Sequence, residues 1–481
     1  MFDILRNIKE AGRGVTELDI LENEIKEFKM SEERKLMMTG ERYFEFDHDI
    51  LKFKRKGIGE GGELEEIKNL PNCPIVDNQY GKLVLQKNNY LIGKPFSIQC
   101  ENEDYTVLLS NIFNRRFHRT LKNVGEDSLN MGKGWLFCNY DANGHLSFKR
   151  LRANEVKPIW KDSDHTELEK AIRIYEMVHV DQNGKEEVIE KIEVYGINGI
   201  DYYECKDNKI SPAEPFHTAY FRKINANGHV EDYNWDKIPL VCFKYNSKEI
   251  PLIKKAKPLQ DAINLIETYF TNNMLEDSRS SIIVLVNYDG ENLGEFRHNL
   301  ATYGAVKVRS DGAGGGGDVK TLEVKVDSNN YKAILEILKK ALIETCMGYD
   351  AKDDRMAGNP NQMNIQSMYS DIDLDANGTE TEYQAAMEEV LEIVNNYLKF
   401  NGAEVPDAEV VITFNRDTMV SISEIVDNCI KSQGMLSQET ILANHPWVKD
   451  PATEIDRIEK QKESEINPYL AIEGDGHEDE E

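Results

Sequence analysis

At 481 residues the chain is too long for one hydrophobic core and predicts roughly three or four structural units on a prior of about 150 residues each. Its 86 acidic residues against 58 basic ones, net −28, argue against a protein that grips nucleic acid by neutralising phosphates, though not against one that lets a duplex pass without holding it. The seven cysteines are scattered, odd in number and never spaced Cys-x-x-Cys, which speaks against a disulfide framework or a zinc site.

No run approaches the ~18 apolar residues needed to span a bilayer. Met1 to Glu10 carries acids where a secretory leader would carry a basic patch, so neither a membrane span nor a leader is expected. The first 35 or so residues then read as helix, with Leu18, Leu21, Ile25 and Phe28 on one side, a face suited to packing on a neighbour. Asn78 to Tyr90 and Tyr105 to Asn123 also read as helices. Residues 130 to 245 are expected to be antiparallel β, punctuated by Asn143-Gly144, Asn183-Gly184, Asn198-Gly199 and Asn227-Gly228. The N-terminal half is thus an α+β unit.

From Pro258 the spacing of Leu259, Ile263, Ile266, Phe270 and Met274 predicts a helix of about five turns. A small β insert follows: Ser281 to Val286, the turn pair Asp289-Gly290, Ala305 to Val308 and Thr321 to Val326. After the N-cap pair Asp327-Ser328, Tyr331, Ile334, Leu335, Leu338 and Leu342 define a second amphipathic helix that halts near Gly348. Gly348 to Gln362 holds Asp350, Lys352, Asp353, Asp354, Arg355 and Met356, then Gly358-Asn359-Pro360; with no apolar face it must be an exposed loop. Met363 to Phe400 is helix-compatible, with a clean stripe of Met387, Val390, Leu391, Val394 and Leu398 only in its second half and a kink expected at Gly378. Beyond Gly402 come a strand at Val410 to Phe414, helices from Ser421, Ser437 and Asp450, and an acidic tail. Two helices bracketing a β insert, then a polar loop and a very long helix, suggest a channel-lining part rather than an enzyme.

Motifs for chemistry are few. Asp373, Asp375, Asn377 and Gly378 reproduce the first half of a calcium loop, but position 12 is Gln384 rather than a bidentate Glu and position 8 is Glu380, so a polar kink in a long helix is the preferred reading. The tract Asp311 to Asp318 is glycine-rich but lacks the Gly-Lys-Ser/Thr of a phosphate cradle and reads as a flexible loop. Ser421 to His445 has the layout of a helix-turn-helix in acidic surroundings and reads as a packed helical cap. No histidine, serine or cysteine stands in a recognisable catalytic or ligand spacing, so no catalytic residue, metal or cofactor is expected. The basic clusters Lys52 to Lys56 and Arg115, Arg116, His118 and Arg119 suit subunit contacts.

With these pieces placed, the chain resembles the portal proteins of tailed bacteriophages, in particular the siphophage family that forms a dodecameric gate at one capsid vertex. The likeness is carried by Asp47 to Leu51, Leu83 to Lys87 and Tyr90 to Pro95, then by Gly134-Trp135, Asp141 to Leu146 and Ile172 to Tyr175. It continues through Ile238 to Leu240 and Phe243 to Asn246, and ends with Leu436 to Thr440, Pro446 to Asp450 and Glu454. One departure is that many relatives open the long helix with a Ser-Gly pair, where this chain has Gly358 to Gln362.

The resemblance implies a wing over 1–250, stem helices over 251–279 and 328–348, a clip over 280–327, a tunnel loop over 349–361, a long wing helix over 362–402, a crown over 403–470 and a disordered tail over 471–481. It makes Leu259, Ile263, Ile266, Phe270, Leu335, Leu338 and Leu342 stem residues, and Asn287, Tyr288, Asp289, Gly290, Glu291, Arg297 and Arg309 the clip surface for docking terminase and adaptor. The implied partners are further copies of the chain in a ring of 12 or 13, the terminase large subunit, major capsid and scaffolding proteins, a head-completion adaptor, and double-stranded DNA passing without sequence reading. The implied location is the virion's portal vertex, with synthesis in the host bacterial cytoplasm. The alternative from the residues alone is a secreted or surface calcium-binding α+β protein using the Asp373 to Gly378 loop.

Overall fold

The computed structural model describes residues 16–58, 63–66, 71–141, 144–180, 186–206, 209–224, 230–276, 282–286, 310–311, 315–316, 318–322, 328–350, 362–416, 422–448 and 451–470. The expected turns Asn183-Gly184, Asp289-Gly290 and Asn227-Gly228, the strand Ala305 to Val308, and Asn287, Tyr288, Glu291, Arg297, Arg309, Lys352, Asp353, Asp354, Arg355 and Met356 lie outside the described residues.

Helix α1 (Glu17–Met30) opens with a reciprocal cap: Asp19 N–H donates to Thr16 Oγ1, and Thr16 N–H donates to Asp19 Oδ2. Its Leu21, Ile25 and Phe28 pack on Ile172, Ile174 and Ile192 of the chain's own sheet, where the sequence suggested a neighbour as their partner. Ser31 caps α2 (Glu32–Phe44). Helix α3 (Gln79–Ile92) buries nine of its fourteen residues. The helix expected from Tyr105 to Asn123 is two helices, α4 (Glu103–Ile112) and α5 (Arg115–Met131), because the Asn114 side chain caps a fresh start at Arg116 and Phe117. Gly132 ends α5 at φ 84°, and a Cβ there would lie 2.0 Å from the Glu249 carbonyl oxygen.

Strands β1 (Lys133–Tyr140), β2 (Leu146–Leu151) and, later in the chain, residues Leu240–Lys244 form a three-stranded antiparallel sheet with β1 in the middle. Strands β3 (Val156–Trp160), β4 (Leu168–Val180), β5 (Glu186–Gly196), β6 (Gly199–Lys206) and β7 (Lys209–Thr218) form a five-stranded meander in that spatial order. Asn198-Gly199 makes one of its turns, with Gly199 at φ 127°. Met37, Met131, Trp135, Ala153 and Tyr195 fill the space between α2 and the two sheets.

Helices α6 (Ile253–Glu276) and α7 (Ser328–Thr345) flank a β ribbon, Ile282–Val286 paired with Asp318–Leu322. The second strand starts at Asp318, three residues before its expected Thr321, and the glycine tract, expected to be a flexible loop, pairs Ser310–Asp311 with Gly315–Gly316. Helix α8 (Gln362–Phe400) has 39 residues, about 58 Å at ~1.5 Å each, and runs unbroken through Gly378. Its second half buries Met387, Val390, Val394 and Leu398 in the main core. Its first half, expected to be polar, carries a stripe of its own: Ile365, Met368, Tyr369, Ile372 and Ala376 pack around Tyr90. Val411–Thr413 then pairs with Ser97–Gln99, and helices α9 (Ile422–Lys431), α10 (Gln438–Ala443) and α11 (Pro451–Leu470) close the chain. No helix among the described residues is long and apolar enough to cross a membrane.

Candidate channel-forming stem

Helices α6 and α7 lie antiparallel, with Asn273 beside Tyr331, Phe270 against Tyr331 at 5.0 Å, and Glu267 paired to Lys339 at 3.0 Å. At 24 residues α6 is about 36 Å long. Of the predicted stripe, Ile263 and Leu342 are fully buried, Leu259, Leu335 and Leu338 pack beside them, and Ile266 and Phe270 are half-buried. Met274 and Ile334 depart from expectation: they point outward, 52% and 46% exposed. Together with Leu265, Tyr269, Leu275 and Ile337 they leave each helix an outward apolar row.

The side of α6 buried most completely is polar. Gln260, Asn264, Thr268 and Asn272, spaced four apart, are at most 1% exposed. They accept the backbone N–H groups of Tyr80, Asp77, Ile75 and Cys73 at 2.8, 3.0, 2.9 and 2.8 Å. The match is metrical: four helical residues rise about 6.0 Å and two extended residues about 6.6 Å, so alternate amides of the 73–77 segment meet successive helical side chains. Pro74 sits where no donor is required. The signal for this ladder was present in the sequence, but a row of amides and a hydroxyl at i+4 resembles a solvated face.

His48 anchors the ladder. It is fully buried, stacked on Tyr43 at 4.3 Å, and its Nε2–H donates to the Tyr43 carbonyl at 2.9 Å. Asn264 Oδ1 already accepts from Asp77 N–H and Gln260, so the 2.8 Å contact must be Asn264 Nδ2 donating to Nδ1. The ring is therefore neutral, and burial holds its pKa below the usual 6.5. Nearby, Lys257 bridges Asp49, Asp261 and the Tyr43 hydroxyl at 2.6 to 2.8 Å. Burial alone would raise the Asp49 pKa, but Lys257 and Arg42 more than offset it and hold Asp49 ionised.

The root of the 349–361 loop is clamped from both sides. Gln86 donates to the Tyr349 carbonyl at 2.8 Å and accepts its N–H at 3.2 Å. Lys87, with a side chain 3% exposed, donates to the Met347 carbonyl at 3.0 Å and to Asp375 Oδ2 of α8 at 2.7 Å. A Cβ on Gly348 would stand 2.4 Å from Leu83 Cδ2, so a larger residue there would have to push that side chain aside. Tyr349 meets Tyr369 at 4.7 Å, and Tyr369 stacks on Tyr90. Of the predicted loop residues only Asp350 is described, half-buried at this root. Sequence reasoning missed Gln86 and Lys87, which sit in an ordinary amphipathic helix.

The half calcium loop is helix, and its oxygens are engaged. Asp373 takes Tyr90 and Arg416, Asp375 takes Lys87 and Tyr245, and Asn377 and Glu380 take Arg416. That overturns the calcium-loop alternative, since a cation would have to displace Lys87 and Arg416 and unwind the helix.

Residues 19–468 match the family described as phage portal protein, SPP1 Gp6-like. The chain belongs to that family. Among relatives of this portal-family chain, the portal protein of Bacillus phage SPP1 is 27% identical over 452 residues, covering 92% of this chain and 86% of that protein. The portal protein of Clostridium phage phiCD119 is 24% identical over 428 residues, covering 87% and 90%. A solved chain described as "Neck of native GTA particle computed with C12 symmetry" is similar at a TM-score of 0.36 and 12% identity, covering 76% of this chain and 88% of that one. The function is that of a phage portal protein, and the portal family is structural.

Proposed function

We propose that copies of this chain close into a ring of twelve or thirteen at one capsid vertex, with the α6–α7 stems lining a channel for double-stranded DNA. The observation that carries this reading is the antiparallel helix pair, α6 about 36 Å and α7 about 27 Å long, each helix keeping an outward apolar row, Leu265 and Tyr269 on one and Ile334 and Ile337 on the other. Two different apolar rows on one subunit are what a head-to-tail ring requires. A subunit of net charge −28 gives the conduit a field that repels phosphates, so a moving duplex is not held.

Within this reading Lys352 and Arg355, set among Asp350, Asp353 and Asp354, touch the duplex weakly at a constriction. The 280–327 insert, through Asn287 to Glu291, Arg297 and Arg309, docks the terminase large subunit during packaging and a head-completion adaptor afterwards. Capsid and scaffolding proteins meet the periphery. The motor's energy comes from terminase, so the purified ring is expected to hydrolyse no ATP.

Mass measurement and negative-stain images test the assembly. Twelve or thirteen copies of a 55.1 kDa chain give particles of roughly 0.6 to 0.7 MDa with a central hole. Compact single-chain particles in micrographs would count decisively against it.

A further inference from the structure

We propose that the start of α5 on one copy, bearing Arg115, Arg116 and Arg119, docks against a carboxylate cluster of Asp236, Glu382 and Glu389 on the next copy. This rests on the ring reading above and adds a contact to it at residue level.

The three arginines stand out by lacking a partner. All are exposed, and none makes an ion pair or a side-chain hydrogen bond among the described residues. Elsewhere the surplus of acid is put to use: Arg42, Arg150, Arg152, Arg173 and Arg416 each hold a carboxylate. Asp141, which borders the same groove as Arg116 and Arg119, instead accepts the His145 N–H at 2.9 Å. The placement also runs against the helix, because Arg115 and Arg116 put positive charge at the positive end of the α5 dipole. Unpaired guanidinium groups set against a dipole, in a chain of net −28, point to carboxylates supplied from outside.

The matching charge is on α8 and the segment before Leu240. Asp236, Glu382 and Glu389 line one depression, and none of them forms an ion pair among the described residues. Of the lysines beside them, Lys161, Lys237 and Lys244 are held by Glu167, Glu392 and Glu249, and Lys170 stands next to Glu169. Glu389 is half-buried, and burial raises its pKa more than Lys237 lowers it. A carboxylate held there without a cation is incompletely compensated.

The occupant is a second copy because the fold keeps the two sets apart within one. Helices α5 and α8 lie side by side on one face of the three-stranded sheet, joined by Ser128 and Tyr383 at 2.6 Å. Phe117 of α5 meets Phe148 of β2 at 4.7 Å, and Tyr383 of α8 meets Phe243 at 5.2 Å. β2 and Leu240–Lys244 are the two edges of that sheet, with β1 between them. The arginines therefore flank one edge and the carboxylates the other, with both helices between, at ~8–10 Å from axis to axis. A positive flank and a negative flank on opposite sides of one layer make a heterologous contact, which repeats around a closed ring.

Charge reversal tests this. Arg116→Glu with Arg119→Glu makes one variant and Asp236→Arg with Glu382→Arg the other, with circular dichroism and melting temperature checking that each folds. The first should fold at least as well as the unmodified chain, since it places acids near the α5 N-terminus. If the second unfolds, Asp236→Asn with Glu382→Gln removes the charge while keeping the shape. Each reversed variant alone is expected to raise the concentration for half-assembly at least tenfold. An equimolar mixture is expected to restore rings, because one kind of subunit is then negative on both flanks and the other positive on both. Assembly lost in the first variant and not restored by mixing would overturn the contact. Unchanged assembly would overturn it too, and weaker binding of duplex DNA alongside would give the arginines to nucleic acid instead. In all these cases rings of the unmodified chain leave the portal reading standing, whereas a monomeric unmodified chain would overturn both.

Discussion

Lys87 Nζ lies 2.7 Å from Asp375 Oδ2, and through that lysine the chain just beyond α7 is tied to the long helix α8. The ammonium also holds the Met347 carbonyl, and the Tyr245 hydroxyl donates to the same carboxylate. Burial lowers the Lys87 pKa, and Asp375 opposes that shift.

A buried pair of this kind costs more to break than to remove. Lys87→Ala should destabilise the fold by about 3–5 kcal/mol, because Asp375 keeps its charge with only Tyr245 beside it. Lys87→Met combined with Asp375→Leu should recover most of that loss, and chemical denaturation of the double variant beside Lys87→Met and Asp375→Leu alone measures it. Additive losses would show that the pair is not coupled.

The ladder on α6 makes a more local prediction. Thr268→Val keeps the shape but removes the acceptor for Ile75 N–H, leaving a buried donor unsatisfied at a cost of about 1–3 kcal/mol. Amide exchange at Cys73, Ile75 and Asp77 should accelerate while exchange in the β1–β2 sheet stays unchanged. Equal acceleration everywhere would mean global unfolding rather than release of this segment.

These sites separate what periodicity reveals from what it hides. Ile263, Leu335 and Leu342 were legible because burying an apolar stripe forces a 3.6-residue repeat into the sequence. Gln260, Asn264 and Thr268 obey the same repeat, but their polarity disguised a buried face whose partner is backbone from nearly 190 residues away. The first half of α8 was misread for a related reason. Asp371, Asp373 and Asp375 dominate its composition, whereas Ile365, Met368 and Ile372 between them do the packing. Lys87 was illegible because its function is set by Met347 and Asp375, which lie far away along the chain.

Acid should loosen the anchorage of α6 through His48. Its folded pKa lies below the unfolded 6.5, so on acidification the unfolded chain takes up the proton first. The stability is complete above pH 6.5 and is lost as pH falls from there toward the folded value, by at most about 1.4 kcal/mol per pH unit for one group. Burial and Lys122 depress His118 in the same direction, so the wild-type slope contains both. His48→Gln, which can still donate to Tyr43 and accept from Asn264, should remove one proton's share of that slope in denaturation series between pH 7 and pH 5. An unaltered slope would take His48 out of the linkage.

The last prediction concerns the loop itself. Its root is fixed by Gln86, Lys87 and the Tyr349–Tyr369 contact, none of which involves Lys352 or Arg355. Replacing both cations by alanine should therefore leave the fold and ring mass intact. If they graze the passing duplex, the loss of two positive charges in a channel that otherwise repels phosphates should weaken DNA retention and reduce its dependence on salt. Packaging assays with the double variant at two ionic strengths read this directly. Wild-type retention at both salt concentrations would remove Lys352 and Arg355 from contact with DNA.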